Sequence, residues 1–308
     1  MQTESIKFKS HDGVSTINAL LWLPQNPKGI VQLVHGMAEH IERYDEFACY
    51  LAEQGFAVCG HDHIGHGGSV SSKDDWGHMP MATGAEILIE DVHTLRALMT
   101  ERLGTELPYV IFGHSMGSFV TRCYLAEHGE GLSGAVLCGT GNLPIALSKA
   151  GNTLCHVIGK LRGERYRSKL VDGMAAGGYN KSIKNPRTPV DWLSFETGNV
   201  DAYIADERCG FMFTVGGYAA VTEMSAISAT AECVAHYPKE LPVLLIAGES
   251  DPVGDCGKGV LEAAVLIKQA GLEDVSATIY KDMRHEILNE ANRQQVMEDV
   301  AAWLESKL

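Results

Sequence analysis

The chain has 308 residues, 45% hydrophobic and 21% charged, which excludes disorder and a coiled coil and supplies enough apolar side chains for one large core or two modest ones. Its 25 basic residues stand against 39 acidic ones, and the formal charge of −14 repels polyanions, so no nucleic-acid partner is expected. The longest apolar run, near Phe211 to Val221, is broken by glycines and stopped by Glu223, short of the roughly 20 residues that span a bilayer, and Met1 to Lys7 lacks the pattern of a secretory signal; a cytoplasmic location is expected.

In chain order, Ser5–Ser10 and Thr16–Leu23 alternate as strands do and flank the turn signal Asp12-Gly13, predicting an antiparallel hairpin. Pro24 and Pro27 break the chain before Gly29–Val34, an almost wholly apolar run that reads as a buried strand. From here two periods alternate. The amphipathic stretch Tyr44–Gln54 leads to a strand at Phe56–Gly60, the long helix Thr83–Arg102 to Tyr109–Phe112, and the helix Met116–His128 to Ser133–Cys138. This is βαβ grammar, which predicts an α/β fold with a mostly parallel sheet and helices on both faces. Between Gly139 and about His236 the alternation stops, and helical fragments are punctuated by Gly177-Gly178, Asn185-Pro186 and Thr188-Pro189. It resumes with a strand at Leu241–Ala247, a helix near Gly259–Ala270, a strand at Val275–Tyr280 and a helix at Arg293–Leu304. The expected organisation is a core at 1–139 and 237–308 split by an inserted helical cap at 140–236. The eight cysteines are irregularly spaced with no Cys-x-x-Cys and are expected to be reduced and mostly packed.

Gly113-His114-Ser115-Met116-Gly117 sits where a strand turns into a helix, the context in which G-x-S-x-G has chemical meaning. The turn lifts the Ser115 hydroxyl clear of the sheet and sets the Met116 amide at a helix N-terminus, where it can meet an oxyanion. A serine hydroxyl needs a base held by a third group. Asp251 and His285 follow later strands, and the order Ser, Asp, His brings the three to one sheet edge. Glu249 and Asp255 are rival acids; Asp251 leads because the Asp-Pro step marks the turn. The loop His35-Gly36-Met37-Ala38-Glu39-His40 is expected to give the second oxyanion donor, the Met37 amide.

These residues, with Arg43-Tyr44, the run Gly60-His61-Asp62-His63-Ile64-Gly65-His66-Gly67-Gly68-Ser69 and His285-Glu286-Ile287-Leu288-Asn289-Glu290, resemble the monoacylglycerol lipase and lysophospholipase branch of the α/β-hydrolases. The resemblance covers both core segments and matches the cap loosely. It implies a cofactor-free serine hydrolase of single-chain acyl esters, with Ser115, Asp251 and His285 as catalytic triad and Met37 and Met116 as oxyanion donors. Two positions depart from the family, Ser118 and Ala38, each where glycine is common. A peptidase or acyltransferase on the same scaffold, or a receptor that keeps a hydrolase pocket, are the competing readings.

His61, Asp62, His63, His66 and His78 are possible zinc ligands by type, but their spacing lacks a second ligand set and the glycines read as a tight loop; no metal is expected. Phe211, Met212, Phe213, Val215 and Tyr218 read equally as an acyl channel or as core. Lys160, Arg162, Arg165, Arg167 and Lys169 suit peripheral contact with a membrane or phosphate group through the cap, although a solvated helical face explains them more simply.

Overall fold

Runs of β-branched and aliphatic residues too short for helices build the centre of the molecule, described for residues 2–175 and 177–307 in a computed structural model. β1 (Gln2–Lys9), β2 (Thr16–Leu23), β3 (Gly29–Val34), β4 (Phe56–His61), β5 (Tyr109–His114), β6 (Gly134–Cys138), β7 (Val243–Gly248) and β8 (Val275–Tyr280) form one sheet in the order β1-β2-β4-β3-β5-β6-β7-β8. β3 to β8 are mutually parallel, and the β1–β2 hairpin adds antiparallel to the edge of β4. The expected α/β architecture is therefore present. Strand ends differ from expectation where the ladder carries on: β5 runs to His114 because that residue still pairs with Cys138, and β1 starts at Gln2 opposite Leu23.

Both faces of the parallel strands are covered, which is why they read as unbroken apolar runs. On one face Val31, Leu33, Val58 and Phe112 meet Phe47 and Leu51 of α1 (Asp45–Glu53) and Val296 and Val300 of α10 (Arg293–Glu305). On the other, Ile30, Val34 and Ile111 meet Leu88 and Val92 of α2 (Gly84–Leu103) and Val120 of α3 (Met116–His128). Burying each such side chain contributes about 1.5–3 kcal/mol. β6 and β7 are covered by α9 (Lys258–Gln269) through Val260, Ala263 and Ile267.

Between β6 and β7 the described chain carries no strand, only α4 (Ile145–Arg162), α5 (Lys169–Ala175), α6 (Thr197–Ala205), α7 (Val215–Ser228), α8 (Ala231–Ala235) and single 3-10 turns. α7 packs against α4, α2 and α3, and its Tyr218, Ala219 and Met224 join the apolar cluster of β3 and β5. No described helix is long and apolar enough to cross a membrane. All eight cysteines are free thiols; six are buried and Cys256 is exposed.

Candidate active site

The local reason for the G-x-S-x-G pattern is steric. A Cβ on Gly117 would stand 2.0 Å from the Val34 carbonyl oxygen, so only glycine lets α3 start this close to β3. The Ser115 backbone is held at φ 54°, ψ −122°, its amide donating to the Cys138 carbonyl at 2.9 Å. Such a conformation costs of order 1–3 kcal/mol and persists because the flanking strand and helix dictate it. Ser118 fits without a clash: its hydroxyl donates to the Ser115 carbonyl at 2.6 Å.

His285 reaches this elbow from the loop after β8. Its Nδ1 lies 3.0 and 2.9 Å from the two carboxylate oxygens of Asp251, and both side chains are buried. A carboxylate only accepts, so Nδ1 carries the proton and Nε2 is left as the basic nitrogen. Asp251 is itself oriented by the Val253 amide at 2.9 Å. The His285 ring packs 4.7 Å from that of His114, the residue preceding Ser115, and 5.0 Å from the indole of Trp192. At Gly139, with φ 58°, a Cβ would press on the His285 ring at 3.1 Å. Glu249 and Asp255 are exposed, and Asp255 pairs weakly with Lys258 instead.

The loop after β3 is shaped by Glu39, whose Oε1 accepts from the Gly36 amide at 2.6 Å and the Tyr44 hydroxyl at 2.8 Å. Among the described residues, neither the Met37 nor the Met116 amide donates to a protein acceptor. Ala38 adopts φ 53°, a left-handed geometry held by three bonds: its amide donates to His66 Nε2 at 3.3 Å, and its carbonyl accepts from the Tyr203 hydroxyl and the Gly210 amide at 3.0 and 2.9 Å.

The histidines near this loop do not form a metal cage. His61, His63 and His66 gather with His35, all fully buried, but among the described residues their ring nitrogens do not converge in a ligand cluster. Asp62 turns away to accept from the Ile41 and Gly68 amides, and half-buried His78 meets the Thr214 hydroxyl. Two other groups converge, His40–Asp206–Cys209 and Glu90–Glu127–His128; Arg208 already pairs with Asp206 in the first. The buried imidazoles work as neutral rings. His35 Nδ1–H donates to the Gly36 carbonyl while Nε2 accepts from the His63 amide at 3.0 Å, and His66 Nδ1–H donates to Ile64 while Nε2 accepts from Ala38.

Burial lowers the pKa of all four imidazoles, to about 3 for His61 and about 4 for His66. Because these folded values lie below the unfolded one, the stability these groups leave intact is fully present above about pH 6.5 and falls as the pH drops below it, since the unfolded chain takes up protons that the buried rings refuse. Protonating His66 would also set a second N–H against the Ala38 amide. The protein is therefore expected to lose thermal stability steeply between about pH 6.5 and 4.5. His61, whose two ring nitrogens have no partner among the described residues, offers the check: His61→Leu should lose less of its thermal midpoint between pH 8 and pH 5 than the parent does. An equal loss in both proteins would count against it.

Packing takes up part of the other features noted in the sequence. Phe213, Val215 and Tyr218 are buried in the large apolar cluster, while half-buried Phe211 stacks on Trp76. Exposed Arg165 pairs with Asp75, and Arg167 donates to the carbonyls of Asp74, Trp76 and Met212, so that Lys160, Arg162 and Lys169 are the exposed cations of that run with no acidic partner among the described residues.

A mostly parallel sheet with a strained serine elbow at one strand end and a carboxylate-held histidine beside it defines an α/β-hydrolase. Comparison with known proteins carries this to the family. Residues 25–292 match the Hydrolase_4 model, described as serine aminopeptidase, S33, and the chain belongs to that family. It is 28% identical to a monoacylglycerol lipase of Mycolicibacterium smegmatis over 94% of this chain and 92% of the relative, and 26% identical to the monoglyceride lipase of Mus musculus over 93% and 86%. In structure it resembles a thermostable carboxyl esterase of Bacillus coagulans, solved with glycerol, with a TM-score of 0.91 and 33% identity over 99% of each chain. The chain is thus an ester hydrolase of the serine-hydrolase type. Sequence reasoning gave no role to Trp192, Glu39, Arg43 or Glu286, although the last three stand within the quoted motifs.

Proposed function

We propose that the protein cleaves single-chain acyl esters, such as a monoacylglycerol or lysophospholipid, through an acyl-enzyme on Ser115, with His285 as base, Asp251 as its orienting acid and the Met37 and Met116 amides as oxyanion donors. The observation that carries this reading is the Nδ1 contact of His285 with both oxygens of buried Asp251, next to the strained Ser115 turn. His285 Nε2 takes the hydroxyl proton as Ser115 attacks the ester carbonyl. The two amides bind the oxyanion, the alcohol leaves with the proton from His285, and water repeats the sequence on the acyl-enzyme. Each oxyanion donor contributes roughly 3 kcal/mol of transition-state stabilisation.

The substrate class rests on the names of the relatives and on the segment 140–236, which we take as a cap. Trp192 of this segment stands over His285, and a roofed site favours one acyl chain over three. The cap also presents Leu147, Val157 and Leu161 on α4 and Leu170 and Met174 on α5 to the outside, edged by Lys160, Arg162 and Lys169. Such a face suits peripheral contact with a lipid surface. The expected result is that monooleoylglycerol or lysophosphatidylcholine is hydrolysed at least about tenfold faster than trioleoylglycerol, with an aminoacyl amide untouched. Leu161→Glu should slow only substrates presented in vesicles. Efficient trioleoylglycerol or amide hydrolysis, or transfer to an added alcohol in preference to water, would overturn the substrate assignment.

A further inference from the structure

Arg43, on the helical turn Ile41–Tyr44, ties together parts of the chain that the catalytic reading needs in register. Its Nη1 donates to Glu39 Oε2 at 2.7 Å and to Glu286 Oε1 at 2.6 Å, and its Nη2 donates to Glu286 Oε2 at 2.8 Å and Asn199 Oδ1 at 3.3 Å. Glu39 holds the Gly36 amide, one residue before Met37; Glu286 directly follows His285. Both carboxylates are buried, and one guanidinium nitrogen serves an oxygen of each. Asn199 belongs to α6, and its Nδ2 donates to Glu286 Oε2 at 2.6 Å. The same helix supplies Tyr203, whose ring lies 5.0 Å from the Arg43 guanidinium carbon and whose hydroxyl grips the Ala38 carbonyl. The third anchor is His114: its Nδ1 faces Glu39 Oε1 and the Tyr44 hydroxyl, and its Nε2 faces the His285 carbonyl at 3.3 Å.

We propose that Arg43 is a positioning residue, through which α6 of the cap holds the Met37 loop and the His285 loop in the geometry that the reaction requires; this rests on the Ser115–His285–Asp251 reading. Without the guanidinium fork, two buried carboxylates face each other with like charge, and each is free to drift with the loop it anchors. A lysine keeps the charge, but its single ammonium cannot reproduce bidentate contact with one carboxylate and a bond to the other. Displacement of catalytic groups by about an ångström costs on the order of 100-fold in rate, and loss of a well-aimed oxyanion donor costs a similar amount.

The segment from Asp191 to Gly210 behaves as a strut in this picture. Besides Asn199 and Tyr203, the Leu193 carbonyl accepts from the Glu286 amide at 2.7 Å, and the Asp191 and Ser194 carbonyls accept from Arg284. His40 meets Asp206 at 2.9 Å. The strut thus bonds to both catalytic loops, and the proposal is that this bonding reaches the chemistry through Arg43 rather than serving stability alone.

The test uses the full chain, a soluble short-chain nitrophenyl ester and a fluorophosphonate that labels reactive serines. Arg43→Lys should lower kcat by about 30-fold, with KM within about threefold of the parent, and should slow labelling by the same factor at a temperature where melting shows it folded. Asn199→Ala should lower kcat by about threefold, and the double variant should be no slower than Arg43→Lys alone, because both act on one contact. A kcat and labelling rate for Arg43→Lys equal to the parent's, a loss accounted for by the unfolded fraction, or full additivity of the two variants would each overturn the proposal. Failure of the catalytic reading itself looks different: Ser115→Ala would then still turn over and still be labelled.

Discussion

Ser115→Ala is expected to lower turnover of a soluble carboxylic ester by roughly 10⁶-fold while leaving the thermal midpoint close to that of the parent. The two halves of this expectation have separate causes. Turnover falls because no acyl-enzyme can form: water must then attack directly, without an oriented nucleophile, and only binding and the oxyanion donors remain. Stability holds because, among the described residues, the Ser115 side chain makes no hydrogen bond that supports the fold; its amide and carbonyl do that work, and alanine keeps both. Residual turnover within tenfold of the parent, after exclusion of contaminating hydrolase, would mean that the nucleophile lies elsewhere.

Asp251→Asn should follow at about 10⁴-fold. The replacement is nearly isosteric, and the asparagine carbonyl can still accept from the Val253 amide, so the buried loop keeps its shape. What changes is the proton on His285. An amide NH2 facing Nδ1 favours the tautomer with its proton on Nε2, and that nitrogen can no longer take the proton of Ser115. The measurement is kcat/KM across pH beside a melting curve. Parental activity in Asp251→Asn, with a comparable loss on changing Glu249 or Asp255, would move the acid to one of those exposed carboxylates.

The elbow was legible because its cause is local. Five residues, two of them glycines, join an apolar strand to a helical pattern, and no other residue type tolerates the approach seen at Gly117. Asp251 and His285 were legible as loop residues after strands, since parallel strands deliver their C-terminal ends to one edge. The ranking of Asp251 over Glu249 and Asp255 came from turn chemistry, which says nothing of burial; in the structure Asp251 is the one enclosed with His285. Other features were open to two readings until packing was known. The histidine-rich run that begins at the end of β4 has the residue types of a metal site, yet its His63 and His66 rings bond to neighbouring main chain as neutral rings. The basic run from the last turn of α4 to the start of α5 suited a free patch, but two of its arginines are spent on residues 74–76 and on Met212.

Alternating periods, punctuation by glycine and proline, and the serine elbow are properties of neighbours in sequence, and they determined the class of fold, its parallel strands and the candidate nucleophile. The strand order, the antiparallel hairpin on β4, the Trp192 wall over His285 and the Arg43 clamp join residues dozens to hundreds of positions apart. Periodicity reports which face of an element is apolar, not which partner it meets. Those pairings are decided when faces are buried together and every enclosed charge must find its counter-charge, and that happens only in three dimensions.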